Sequence, residues 1–180
     1  MLKKFRNTVI YKLWARFLTW FGDIMVATQP PKVKAQQIRE LLRLGKPGDI
    51  ICRKYTYYFD SYFIKGKYTH SGIITDQKNM IHSVAEGVSI IDIIDFVKDA
   101  DGFILIRPAK VNFAKMKKFL TGCIGKPYDF IFKKDKDAFY CHELTWNALQ
   151  AGGARLPETG EIIYADDLLN ICKTIYDPGL

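Results

Sequence analysis

A lone thiol at the start of a helix and two imidazoles in neighbouring strands are the groups of this chain best suited to covalent chemistry. Cys141 follows the strand-like run Ala138-Phe139-Tyr140 and opens an apolar-periodic segment that ends at Gly152-Gly153. A thiol there meets the positive end of a helix dipole and unpaired backbone N–H groups, both of which favour thiolate. The same N–H groups could hold an oxyanion formed on an attacked carbonyl. Cys52, Cys123 and Cys172 sit inside apolar strand or helix patterns and read as small buried hydrophobes.

A nucleophile of this kind needs a base, and the chain has three histidines. His142 directly follows Cys141, and adjacent helix side chains point different ways, so it is not the expected base. His70 (Thr-His-Ser-Gly) and His82 (Met-Ile-His-Ser) lie in two strands joined around Asp76-Gln77-Lys78-Asn79. If Thr75 pairs with Met80, the two histidines fall on opposite faces. A three-residue turn pairing Asp76 with Met80 puts them on one face, with Asn79 in the left-handed position such turns use. Glu86 then lies opposite His70 and becomes the rival for the role of orienting carboxylate. His70, His82, Cys141 and His142 could in principle hold zinc. No close ligand pair supports that, and no metal or cofactor is expected.

The elements that must position these groups are short. Lys34–Leu44 and Asn112–Ile124 read as helices closed by Gly45 and Gly125, and Cys141–Ala151 as a third. Residues 49–52, 68–75, 80–84, 88–91, 103–106 and 172–176 read as strands, with a short helix at Ile93–Lys98 and one helical turn at Asp166–Asn170. This order implies an α+β domain with helices gathered against an antiparallel sheet. The aromatic run Tyr55, Tyr57, Tyr58, Phe59, Tyr62 and Phe63 before His70 lines an apolar groove or simply fills core.

Charge divides the 180-residue chain at about residue 46. Residues 1–46 carry ten basic and two acidic side chains, so the whole net charge of +8 resides there. Duplex binders spread Lys and Arg over a reading face within a recognisable motif, and none occurs here, so no nucleic-acid partner is expected. Leu2, Phe5, Val9, Leu13, Phe17, Trp20 and Ile24 recur at helical spacing among these charges, in a helix ending near Thr28–Pro31. A basic amphipathic helix rich in Trp and Phe suits a membrane surface through residues 1–25, or packing on its own domain or on a second subunit. Lys12, Arg16 and Asp23 interrupt any run long enough for a secretory signal or a membrane span. The expected location is cytoplasmic or peripheral to a membrane. Residues 1–45 are read as a helical extension and 46–180 as the domain that carries the chemistry.

Four segments in order, Pro-Gly-Asp-Ile-Ile (47–51), Thr-His-Ser-Gly-Ile-Ile (69–74), Met-Ile-His-Ser (80–83) and Gly-Lys-Pro-Tyr-Asp-Phe (125–130) with Phe-Tyr-Cys-His-Glu-Leu (139–144), resemble the NlpC-type papain-like amidases. The histidine half precedes the cysteine half. That order resembles the circularly permuted branch, which includes bacterial amidases, a poxvirus relative and lecithin:retinol acyltransferase-like enzymes. The resemblance covers about residues 46–176 and implies a permuted papain-like fold. It implies Cys141 as nucleophile, His70 as base and His82 in the third position, which is often Glu in the bacterial branch. Tyr128, Tyr140 and Asp129 fall at positions that shape the site. The implied activity is thioester-forming cleavage of an amide bond in a peptide, a cell-wall stem or an N-acylated compound. Acyl transfer or thioester hydrolysis on the same fold is the alternative, and a non-catalytic zinc-binding or membrane-docking domain is the other.

Overall fold

The computed structural model describes residues 6, 8–22, 24, 31–56, 64–134 and 136–180. The helix end expected near residues 28–31 and most of the aromatic run, Tyr57–Phe63, lie outside them. In chain order the elements are α1 (Val9–Gly22), α2 (Ala35–Leu44), β1 (Ile50–Lys54), β2 (His70–Ile74), β3 (Asn79–Val84) and β4 (Gly87–Asp92). They are followed by α3 (Ile93–Val97), β5 (Gly102–Pro108), α4 (Phe113–Cys123), α5 (Cys141–Ala151), α6 (Ala165–Ile171) and β6 (Cys172–Tyr176).

The six strands form one antiparallel sheet in the order β4-β3-β2-β1-β5-β6. Alternation along its strands feeds two apolar layers. One layer joins Ile50, Cys52, Ile73 and Ile81 to Met116, Leu120, Leu144 and Leu168, from α4, α5 and α6. The other joins Ile51, Ile74, Met80 and Leu105 to Leu41, Phe96 and Val97, from α2 and α3. Successive residues of β2 therefore serve different layers, so His70 faces the α2/α3 layer and Ser71 faces α5.

Local polar contacts set the element ends. Asn112 and Asp92 cap α4 and α3, their side chains accepting from Lys115 N at 3.0 Å and Ile94 N at 2.7 Å. The buried Asp49 before β1 takes a two-pronged ion pair from Arg107 of β5, at 2.6 and 2.7 Å, and the same guanidinium donates to Leu44 O at 3.1 Å. This fork ties α2 to the centre of the sheet.

The β2–β3 connection does have an odd loop, but not the one expected from the sequence. Gly72 pairs with His82 and Ile74 with Met80, while Thr75 N donates to Asn79 O. The loop is therefore Asp76-Gln77-Lys78, and Asn79 is the first residue of β3 instead of a left-handed turn residue. The cause is the Asp76 carboxylate, whose Oδ1 accepts from both Lys78 N and Asn79 N at 2.9 Å. Such a side-chain turn fixes the loop one residue earlier. The histidines keep a common face, but the register moves by two residues.

Candidate active site

In the observed register, His82 stands opposite Gly72, and His70 is the diagonal neighbour two residues along the same face. The missing side chain at position 72 permits the two rings to meet. A Cβ there would fall 2.6 Å from Met80 Cε and 3.1 Å from His82 Cβ. His70 Nε2 and His82 Nδ1 lie 3.0 Å apart, with the rings edge to face. The Phe96 ring from α3 packs on both imidazoles.

Glu86 does not occupy the place predicted for it. The two-residue register difference carries it past β3, so it sits exposed in the Ala85-Glu86 turn between β3 and β4.

Cys141 is the first residue of α5 and is 5% exposed. Its Sγ lies 3.9 Å from Thr69 O, and the N–H groups of Ser71, His142 and Cys141 itself face the sulfur. The thiol is thus set against the main chain on both sides of His70. His82 engages Nε2 of His70.

The helix start is fixed by its neighbours. Tyr140 N donates to Glu143 Oε2 at 3.4 Å, closing the first turn, and Glu143 is fully buried. The Tyr140 hydroxyl accepts from Ile163 N at 2.7 Å, and Ser83 Oγ of β3 donates to Phe139 O at 2.6 Å. On the α5 side of β2, Ser71 Oγ is 2.8 Å from His142 Nδ1 and 3.0 Å from Thr145 Oγ1, which donates to Cys141 O. Ser71, which follows His70, is therefore bonded to His142, which follows Cys141. His142 is thus a packing and latching group, and its Nε2 is buried without a hydrogen-bond partner.

Sequence reasoning missed Arg53 and Phe96. Arg53 pairs with His70 across β1 and β2, so both side chains share a face. Its guanidinium stacks 4.2 Å from the Phe96 ring centre and 4.7 Å from that of Tyr55, and it donates to Phe96 O. The one available signal was a charged residue in the half of β1 that alternation turns toward the histidines.

Tyr128 and Asp129 belong to the loop leading to Cys141. The fully buried Asp129 carboxylate accepts from Ile131 N at 3.0 Å and Lys133 N at 2.8 Å, and pairs with Arg6 at 3.1 Å. The Tyr128 ring packs on Phe130 and Phe132, and Phe132 in turn packs on Tyr140.

Burial dominates the electrostatics. It pushes the Cys141 thiol up to about 11, against the lowering effect of the surrounding N–H groups and Arg53. Burial holds His70 well below the ordinary imidazole value, helped by the charges of Arg53, His82 and His142. Burial, then Arg53, takes His82 down to about 4. Burial thus favours the uncharged form of the Cys141 thiol and of both imidazoles. Among the described residues, no three His, Cys, Asp or Glu side chains cluster as metal ligands.

Comparison with known proteins places the fold and the family. No match was found among curated proteins. Among solved structures, the crystal structure of the metalloprotein YiiX from Escherichia coli O157:H7 superposes with a TM-score of 0.64. It covers 74% of this chain and 98% of its own at 17% identity, a likeness of fold. The model of the permuted papain-like amidases, YaeF/YiiX, C92 family, matches residues 45–168. With the histidine hairpin ahead of the cysteine helix and that match spanning most of the chain, the protein belongs to the permuted papain-like amidase family.

Proposed function

We propose that the protein is a cysteine amidase that cleaves its substrate through a thioester on Cys141. The 3.0 Å contact between His70 and His82, beside a helix-start thiol set against the His70 main chain, carries this reading. Membership of an amidase family supports cysteine-hydrolase activity in general, and the residue roles below are part of the proposal.

His70 Nδ1 takes the Cys141 proton as sulfur attacks the carbonyl carbon, so thiolate forms with the attack instead of standing ready. His82 Nδ1 accepts from His70 Nε2–H, fixing the tautomer and partly neutralising the imidazolium. The N–H groups at the α5 start hold the oxyanion. Collapse of the tetrahedral adduct breaks the C–N bond, and the amine leaves with the proton carried by His70. Arg53 beside the imidazolium favours that release, because a nearby positive charge makes His70 a stronger acid. Water activated by His70 then cleaves the thioester, yielding a carboxylic acid and the free thiol.

The substrate class that fits is an amide with an acyl or peptidyl group, and a second nucleophile replacing water would make the enzyme a transferase. The structural neighbour is described as a metalloprotein. In this chain the facing nitrogens of His70 and His82 are bonded to each other, so these residues do not fit a metal ion.

An activated acyl ester that modifies thiols tests the reading. The wild type should label at Cys141, with Cys141→Ser abolishing labelling and His70→Ala slowing it by about 100-fold or more. Labelling of Cys172 as fast as Cys141, or indifference to His70→Ala, would sink it.

A further inference from the structure

We propose that α1 is a docking surface for an anionic lipid bilayer. The helix is inverted relative to ordinary packing. Tyr11, Ala15, Leu18 and Gly22, at 4-3-4 spacing, form the side that solvent reaches least, and Tyr11 is the one buried residue. The broader apolar face points outward. Val9 is 71% exposed, Ile10 75%, Leu13 60%, Trp14 50%, Phe17 46% and Trp20 63%. Soluble proteins rarely leave so much contiguous apolar surface uncovered without a use for it.

Charge and length identify the occupant. Exposed Lys12 and Arg16 border the apolar face, and the segment to residue 46 holds the protein's entire excess of positive charge. A negatively charged headgroup layer complements that border, while Trp14, Phe17 and Trp20 are side chains suited to the headgroup boundary. Fourteen residues of helix span about 21 Å, short of the roughly 30 Å hydrocarbon core. No helix among the described residues is long and apolar enough to cross a membrane. The helix therefore lies on the bilayer.

The mounting is firm. Arg6 forms its buried ion pair with Asp129, and the Tyr11 hydroxyl donates to Tyr128 O at 3.3 Å. Both anchors are in the loop leading to Cys141, so the apolar face is held in a set relation to the candidate site. Docking itself does not depend on the amidase reading, because it is measured as binding.

The test is cosedimentation of the full chain with vesicles of phosphatidylcholine alone or mixed with phosphatidylglycerol. Point variants are required, since deleting the N-terminal segment would also strip Arg6 from Asp129. Wild type should bind the mixed vesicles and prefer them to the neutral ones. A triple variant, Trp14→Ser, Phe17→Ser and Trp20→Ser, should lower partitioning by about tenfold or more with its circular dichroism unchanged. Lys12→Gln with Arg16→Gln should erase much of the preference for the anionic lipid. Equal binding by wild type and the triple variant would overturn the proposal, as would failure of the wild type to bind. A wild-type dimer that ignores vesicles and that the triple variant turns into monomer would assign the face to a second copy instead.

Discussion

Helices α1 and α5 reverse one another. Of the eleven residues of α5, eight are buried, and these include His142, Glu143 and Thr145. Of the fourteen of α1, only Tyr11 is buried, while two tryptophans face solvent. Burying polar groups is costly unless partners are supplied, and α5 supplies them through Ser71, Cys141 O and Tyr140 N. Exposing apolar groups loses the main driving force of folding, and nothing in α1 offsets that within the described chain. The contrast separates a helix buried around polar groups and a thiol from one whose apolar face is left exposed.

The widest test of this contrast lies where the two regions meet. Asp129→Ala removes the buried carboxylate that pairs with Arg6, and unfolding in urea should show a loss of about 3–5 kcal/mol. A loss no larger than that of an exposed ion pair would mean that α1 is not mounted on the loop before Cys141.

Acid should expose the polar interior of α5 next. Burial takes His142 from 6.5 down to about 4 and His82 likewise, with His70 also lowered. Between those values the unfolded chain binds more protons than the folded one, so stability rises with pH there and falls as pH drops from 6.5 toward 4. His142 alone accounts for up to about 3 kcal/mol of that fall. Urea midpoints at pH 7 and pH 5 should diverge in the wild type and converge partly in His142→Phe.

The histidine hairpin provides a smaller and more local test. His82→Ala should slow acyl-probe labelling by about 100-fold, whereas Glu86→Gln should leave it within about twofold. Equal effects would mean that the orienting role is not confined to the observed register. The least effect is expected on α1 itself: Trp20→Ser should change stability by no more than about 0.5 kcal/mol, as for an unpartnered surface site. A larger loss would show that the outer face is structural after all.

Much of this was legible in the residues, and the exceptions share a cause. Cys141 at a helix start was readable because the run into the helix and the glycines after it are local signals. The common face of His70 and His82 was readable only as one of two alternatives, since it turns on a single loop residue. The preference of Asp76 for two backbone N–H groups decided the loop and moved Glu86 away from His70. Arg53 and Phe96 could not be read at all. They reach the histidines through β1 pairing and the packing of α3, contacts between segments far apart in the chain. The outward apolar face of α1 was hidden for the opposite reason: its periodicity marks a helix with two faces but not which one turns inward.

The ion pair between Arg6 and Asp129 makes the N-terminal segment a ligand of the loop that precedes Cys141, tethered in cis. Occupancy of one end then weighs on the other by the reciprocity of coupled equilibria. If occupancy of the site shifts that loop, it must shift the seat of α1 by the same factor. If it does, displacing α1 must alter that occupancy to the same degree.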